Sequence, residues 1–232
     1  MTSRGKGIDE RFAGEGGSPF SPGDPVPARL ERFAAEVARW ARRTHLVGKT
    51  NIEENVMISL LDSLHLLRFA ERSGGLGTPG EGVIAAADIG PGAGFPGIVW
   101  AIARPDMAIT LFERREKPNL FLGRTIRLLG LGGTAEVAGE AAGGNRAGRF
   151  DLVVSKAAGR LGEMLPIAAE LLRPGGSYLT IKGEGWGGEM PEAPRGAMEL
   201  ESIEPLPKGR GTMLRLRKGH AGERRGGAGR SA

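Results

Sequence analysis

The feature that most limits the fold is an alternation, from residue 82 onward, of short apolar runs with longer stretches of helical periodicity. Such alternation is typical of a parallel sheet that is covered by helices on both faces. Because right-handed crossovers bring the carboxyl ends of parallel strands to one edge, we expect the ligand crevice at that edge. The predicted strands are 83–88, 108–113, 134–138, 150–155 and 177–182, with a closing hairpin near 199–204 and 212–217, and the predicted helices are 96–104, 116–130 and 160–172.

Two amphipathic helices are predicted ahead of this alternating region. The second of them covers about 53–71. In the first helix the apolar residues recur at the spacing of one helical face, at Leu30, Phe33, Val37 and Trp40. We interpret 29–72 as a short N-terminal helical cap and 82–218 as an α/β domain with a Rossmann-like sheet.

The two ends of the chain have a different composition. Residues 1–28 are rich in Gly, Pro and Ser, and we interpret them as a flexible arm. Residues 219–232 mix Gly with Arg, and we interpret them as a basic disordered tail. In both segments too little apolar surface is available to offset the entropy lost on ordering.

Composition excludes several kinds of site. The chain has no Cys, which rules out disulfides, thiolate metal sites and a cysteine nucleophile. With only 3 His, a histidine-based metal site is not expected either. No apolar run reaches the roughly 18–20 residues that span a membrane, and residues 1–10 are charged rather than apolar. A cytoplasmic protein without membrane contact is therefore the expectation.

The segment 87–97 reads Ala-Asp-Ile-Gly-Pro-Gly-Ala-Gly-Phe-Pro-Gly and lies between a predicted strand and a predicted helix. In that context a glycine-rich turn is typical of a nucleotide-binding loop. The glycines at 90, 92 and 94 would let the backbone turn tightly and approach a ligand. A tight turn without a ligand is the simplest alternative.

Two acidic residues help to distinguish the possible cofactors. Asp88 precedes the first glycine and would repel a diphosphate, whereas it would suit the cationic S-adenosylmethionine. Glu113 follows the next strand, where an acid can accept hydrogen bonds from both ribose hydroxyls. These residues favour S-adenosylmethionine, with a nicotinamide cofactor as the alternative.

Three stretches of the chain are characteristic of one family. They are Trp40 with Thr44–Gly48 and the Leu-Asp-Ser-Leu segment 61–64; the loop 88–97; and Phe-Asp-Leu-Val-Val-Ser-Lys-Ala at 150–157 followed by Ile-Lys-Gly at 181–183. Over about 30–218 the sequence resembles the bacterial 16S ribosomal RNA guanine-N7 methyltransferases, also called the glucose-inhibited division protein B family. The resemblance implies a Rossmann-like methyltransferase sheet, S-adenosylmethionine as the cofactor, and 16S ribosomal RNA or the small ribosomal subunit as the partner.

The resemblance also suggests individual contacts. It adds Phe95, Ala141, Ala142 and Lys156, so that the predicted cofactor-binding residues are Asp88, Gly90, Gly92, Gly94, Phe95, Glu113, Ala141, Ala142 and Lys156. The chain departs from the family at several positions, since the family usually has an acid at Ala142, Arg at Lys156, Asn at His45, and Arg-His at Ile58-Ser59. These departures motivate a non-catalytic RNA-binding or ribosome-binding module as an alternative function.

The expected chemistry needs few catalytic groups. N7 of guanine carries an in-plane lone pair, so its methylation requires alignment rather than a general base. We therefore assign no catalytic residue, and Lys156 is the only candidate. Without Cys, methylation at C5 of cytosine is excluded, and the Asn/Asp-Pro-Pro-aromatic motif for exocyclic amines is also missing. By this elimination a ring nitrogen or a hydroxyl remains as the acceptor, and methylation of a small molecule or protein stays open.

Basic residues point to contacts with RNA. The net charge is +5, and positive side chains suit a phosphate-rich partner. We predict RNA contacts at Arg39, Arg42, Arg43, Lys49 and Lys182, and we expect a monomer.

Overall fold

The computed structural model describes residues 7–17, 20–43, 50–74, 76, 82–141, 146–190 and 198–219. Their centre is a seven-stranded sheet with the order β3-β2-β1-β4-β5-β7-β6. The strands from β3 to β5 are parallel, and β7 runs antiparallel to both β5 and β6. The strands are β1 (Ile84–Ile89), β2 (Met107–Phe112), β3 (Ala135–Ala138), β4 (Phe150–Lys156), β5 (Leu172–Lys182), β6 (Met198–Pro205) and β7 (Thr212–Lys218). The predicted α/β sheet and its closing hairpin are confirmed.

Helices cover both faces of this sheet. They are α1 (Ile8–Ala13), α2 (Val26–Ala41), α3 (Ile52–Arg72), α4 (Gly97–Ala103), α5 (Glu116–Leu129) and α6 (Leu161–Leu171). Alternate residues of a strand face opposite sides, so Leu152 and Val154 of β4 join an apolar cluster with α1–α5, while Val153 joins a second cluster with α6.

Helices α2 and α3 belong to the helical layer of the sheet. The indole Nε1 of the fully buried Trp100 in α4 donates a hydrogen bond to the carbonyl of Ser63 in α3, at 2.8 Å. Side chains of both helices lie in the same apolar cluster as the sheet. What the sequence predicts as a cap is thus continuous with the core of the α/β domain.

For residues 7–17 the predicted flexible arm is wrong. These residues include α1, in which Ile8 and Phe12 lie on one helical face and are fully buried. The ring of Phe12 lies 4.5 Å from that of His65 in α3. Burial of two large apolar side chains offsets the ordering entropy that the glycine-rich composition suggests would dominate. Residues 220–232 of the predicted tail lie outside the described residues.

None of the described helices is long and apolar enough to cross a membrane.

Candidate functional site

A cavity of about 550 Å³ lies at the carboxyl ends of the central strands. It is next to the boundary between β1 and β4, where the chain connections change direction, and such a switch point is the usual ligand crevice of an open α/β sheet. Its walls are formed by Ile89, Gly90, Phe112, Glu113, Arg114, Arg115, Gly139, Glu140, Ala141, Ala157, Ala158, Glu163, Met164 and Ile167. The cavity therefore has the position predicted for the cofactor.

The glycine loop contributes to the cavity mainly through Gly90. This residue has φ +69°, and a Cβ there would lie 3.1 Å from the Cβ of Ala158 on the opposite wall. Gly92 donates its amide to Glu113, whereas Gly94 and Phe95 face α2, where the Phe95 and Phe33 rings lie 5.3 Å apart. Gly90 thus lines the cavity, whereas Gly92, Gly94 and Phe95 do not line it and instead hold the loop in its conformation.

The sequence predicts that Asp88 faces the cavity, but in the structure its side chain does not. Its side chain is fully buried, and Oδ2 accepts a 2.7 Å hydrogen bond from the amide of Gly97 at the start of α4. Burial raises the pKa of Asp88 well above its usual value, Glu113 raises it further, and Lys156 and the Gly97 amide oppose the shift. A carboxyl in that setting is a poor counter-charge for a sulfonium. The structure assigns Asp88 the role of anchoring the loop to α4.

Glu113 is placed at the cavity wall, as predicted, with its side chain 2% exposed. Each of its oxygens accepts a backbone amide hydrogen bond, from Gly92 at 3.1 Å and from Arg115 at 2.9 Å. The Arg115 guanidinium adds two more bonds at 3.0 Å. Although burial raises the pKa of Glu113, these hydrogen bonds outweigh it and lower the pKa, so an ionised acceptor is kept at the wall.

The rest of the cavity wall combines apolar residues with the charged residues Arg114, Glu140 and Glu163. Ala141 lines it, as predicted, and Ala142 lies outside the described residues. Phe112, Met164 and Ile167 supply apolar surface that could contact a flat ring, and sequence reasoning missed them. Phe112 could have been found from its place at a strand end. The two residues of α6 reach the wall only through the packing of that helix on the sheet.

Lys156 lies at the end of β4 and is directed toward α3 rather than into the cavity. Its Nζ donates a hydrogen bond to Ser59 Oγ at 3.2 Å. Burial lowers the pKa of Lys156, while the negative charges of Asp62 and Asp88 oppose that shift. Lys156 is not among the residues that line the cavity, and it instead joins the sheet edge to α3.

A cluster of charged side chains next to Lys156 was not predicted. Arg210 donates through Nε to Asp62 at 2.7 Å, and through its two terminal nitrogens to Glu15 at 3.0 and 2.7 Å. Lys208 and His65 also contact the Glu15 carboxylate. Burial raises the pKa of Glu15, but these hydrogen bonds together lower it to about 2. The cluster ties the segment after α1 to α3 and to the β6–β7 turn, and no local sequence signal indicates it.

Of the predicted RNA contacts, Lys182 has a different role. Its side chain is 12% exposed, and Nζ lies 2.6 Å from Glu189 and donates to the Gly159 carbonyl at 2.9 Å. Lys182 therefore holds the turn after β4 in place and does not present its charge to a partner. Lys49 lies outside the described residues.

The predicted arginines at the end of α2 and just after it form a positively charged surface, together with one arginine of α5. Arg39, Arg42 and Arg43 are exposed, with Arg39 paired to Glu36 and Arg42 to Glu53. Arg124 of α5 joins them, its guanidinium carbon lying 5.9 Å from the centre of the Trp40 ring. Arg39, Arg43 and Arg124 line a separate pocket with Trp40, and none of the four arginines is part of the cavity wall.

Comparison with known proteins gives consistent results. The family model described as rRNA small subunit methyltransferase G matches residues 27–217. The chain is 32% identical over 183 residues to a protein of Halorhodospira halophila named Ribosomal RNA small subunit methyltransferase G, covering 79% of this chain and 82% of that protein. A protein of the same name from Geobacter metallireducens is 34% identical over 184 residues, covering 75% and 79%.

Among solved structures, the chain is similar in fold to the [4+2]-cyclase SpnF. The TM-score is 0.57 with 12% sequence identity, covering 83% of this chain and 94% of the other. At that identity the likeness concerns the fold alone.

Proposed function

The chain belongs to the rRNA small subunit methyltransferase G family, and we propose that it transfers a methyl group from S-adenosylmethionine to N7 of a guanine in 16S ribosomal RNA. The observation that carries this proposal is the cavity at the carboxyl edge of the sheet, with the buried carboxylate of Glu113 in its wall.

The residues around the cavity fit S-adenosylmethionine. Its volume of about 550 Å³ lies within the roughly 300–1,000 Å³ of small-molecule sites. Glu113 would accept hydrogen bonds from the ribose hydroxyls, and Gly90 would let the backbone approach the ligand. Phe112, Ala141 and Met164 would pack against the adenine. When bound, this cofactor supplies an electrophilic methyl group.

The protein contributes to the reaction mainly by positioning. The guanine N7 lone pair needs no base, so the chain must align the two reactants and exclude water, which is worth about 7–11 kcal/mol. We keep Lys156 as the candidate contact on the acceptor side, because it lies at the end of β4 beside α3. Gly92, Gly94 and Phe95 would act indirectly, by holding the loop that carries Gly90.

The arginine surface of α2 and α5 is our candidate for the RNA interface. Arg39, Arg42, Arg43 and Arg124 are exposed, and arginines pair well with phosphates. Contacts of this kind add to the binding affinity for RNA, and this contribution decreases as the salt concentration rises. We further propose that the protein acts in the cytoplasm, where the proposed substrate RNA is found, and that it acts as a monomer.

A transfer assay with purified components tests the proposal. Small ribosomal subunits from cells that lack this protein are incubated with it and with methyl-labelled S-adenosylmethionine, and large subunits serve as the control. We expect label in 16S ribosomal RNA alone. Label in protein or in small molecules without RNA would contradict the RNA substrate. Binding of S-adenosylhomocysteine without transfer to any subunit would indicate a non-catalytic ribosome-binding module.

Cofactor identity is tested separately by calorimetry. We expect S-adenosylhomocysteine to bind and NADH not to bind, because the chain belongs to a methyltransferase family. NADH binding without S-adenosylhomocysteine binding would contradict the proposed function.

A further inference from the structure

The carboxylate of Glu113 has no hydrogen-bonding capacity left in this structure. An ionised carboxylate offers about four acceptor positions, two on each oxygen. Oε1 accepts the Arg115 amide at 2.9 Å and Arg115 Nε at 3.0 Å. Oε2 accepts the Gly92 amide at 3.1 Å and an Arg115 terminal nitrogen at 3.0 Å. A ribose can therefore bind here only if at least one present donor leaves.

The four donors differ in how firmly the fold holds them. The two amides belong to the glycine loop and to the residue that precedes α5, so the backbone fixes them, one on each oxygen. The other two belong to the Arg115 guanidinium, whose side chain is 64% exposed. Only these two donors can leave without moving the backbone, and they also lie one on each oxygen.

A ribose diol matches what the guanidinium would leave behind. Its two neighbouring hydroxyls are two donors side by side, and departure of the guanidinium would open one acceptor position on each oxygen of Glu113. The arginine guanidinium and the ribose diol thus each offer two hydrogen-bond donors to this carboxylate, one for each oxygen.

On this basis we propose that the Arg115 guanidinium occupies the ribose-diol position of Glu113 in the free protein and swings out when the nucleoside binds. The proposal rests on the proposed function, since it takes the cavity to be the S-adenosylmethionine site. The contact has a physical use, because a buried carboxylate without partners is costly. Arg115 keeps Glu113 ionised and hydrogen-bonded until the ligand replaces it.

The displaced contact reduces the apparent affinity for the ligand. A solvent-accessible arginine–carboxylate pair stabilises by about 0.2–1 kcal/mol, and the burial of Glu113 and the two-point geometry place this pair, whose arginine is exposed, at the upper end. Removing the competitor should therefore tighten binding roughly two- to fivefold. A residue that helped to bind the cofactor would have the opposite effect.

Calorimetry with S-adenosylhomocysteine and the full chain tests this at about pH 8, where Glu113 is ionised. We expect Arg115→Ala to bind the ligand roughly two- to fivefold more tightly than the wild type. Arg115→Lys keeps the charge but lacks the two-pronged guanidinium, so it should also bind the ligand more tightly than the wild type. Arg114→Ala is the matched control, because it removes the same charge from the same cavity wall, where the structure shows no bond from Arg114 to Glu113.

The 2′,3′-dideoxy form of the ligand separates competition from a general effect of charge or structure. Without the diol the guanidinium has no competitor, so Arg115→Ala should bind this analogue no better than the wild type does. Equal gains for both ligands, or unchanged or weaker binding of S-adenosylhomocysteine to Arg115→Ala, would overturn the inference while the proposed function stands. Failure of the wild type to bind S-adenosylhomocysteine would contradict the proposed function and the inference with it.

Discussion

Replacing Asp88 by Ala and by Asn distinguishes a loop anchor from a charged ligand contact. Asp88→Ala removes the acceptor for the buried Gly97 amide, now bonded at 2.7 Å. An unsatisfied buried donor costs about 1–3 kcal/mol, so we expect the free energy of unfolding to fall by about that amount. Binding of S-adenosylhomocysteine should weaken as well, because the loop that carries Gly90 loses its attachment to α4. Asp88→Asn keeps an oxygen acceptor of the same size, and we expect it to retain cofactor binding.

The pH dependence of Asp88→Asn supplies a second, independent readout. Because burial raises the folded-state pKa of Asp88 above 3.8, the folded protein binds this proton more tightly than the unfolded chain. The resulting stabilisation is complete below the unfolded pKa and is lost as pH rises toward the folded pKa, by at most about 1.4 kcal/mol per pH unit. The asparagine has no such proton, so it should gain stability relative to the wild type as pH rises from about 4.

Urea unfolding of the wild type and both variants across this pH range measures these differences, and calorimetry measures ligand binding. A stability difference between Asp88→Asn and wild type that stays constant with pH would contradict this prediction. A wild type that gains stability relative to Asp88→Asn as pH rises would contradict it as well. Loss of S-adenosylhomocysteine binding in a fully folded Asp88→Asn variant would instead indicate that the negative charge itself contacts the cofactor.

Three further predictions concern other parts of the molecule. Gly97→Ala should destabilise the protein by about 1–3 kcal/mol in urea unfolding, because its Cβ would collide with Leu111. Its control, Gly123→Ala in α5, should stabilise by about 0.5–1 kcal/mol, since nothing lies within 4 Å of the added methyl. Wild-type stability should fall as pH drops from 4.5 toward about 2, and Glu15→Gln should lack that part of the acid sensitivity. Arg43→Ala should reduce the salt slope of binding to small ribosomal subunits by about 1, and an unchanged slope would exclude a phosphate contact there.

The sheet was predictable because its signals are local. The first strand was expected at 83–88 and is Ile84–Ile89, and the fourth was expected at 150–155 and is Phe150–Lys156. Apolar runs bounded by glycines and charged residues fix these two strands to within a residue or so, whereas β5 was expected at 177–182 and begins earlier, at Leu172. The glycine loop could be recognised for the same reason, since its spacing lies within one short segment.

The orientation of individual side chains could not be predicted in this way. Asp88 was expected beside the ligand, but its carboxyl is buried and accepts a hydrogen bond from the amide of Gly97. Lys182 was expected on the surface, but Glu189, brought close by the turn after β5, pairs with it. Composition suggested a flexible arm, yet the contact of Phe12 with His65 depends on residues far apart in the chain. Each of these outcomes is set by tertiary packing.

The proposed methylation is tested by mapping N7-methylguanine in 16S ribosomal RNA after small subunits have reacted with the protein and S-adenosylmethionine. Reduction followed by aniline treatment cleaves RNA at N7-methylated guanines. We predict one new cleavage at a guanine of 16S RNA, present only when both protein and cofactor are supplied. Methyl label in the RNA without such a cleavage, or no label in the RNA at all, would contradict it.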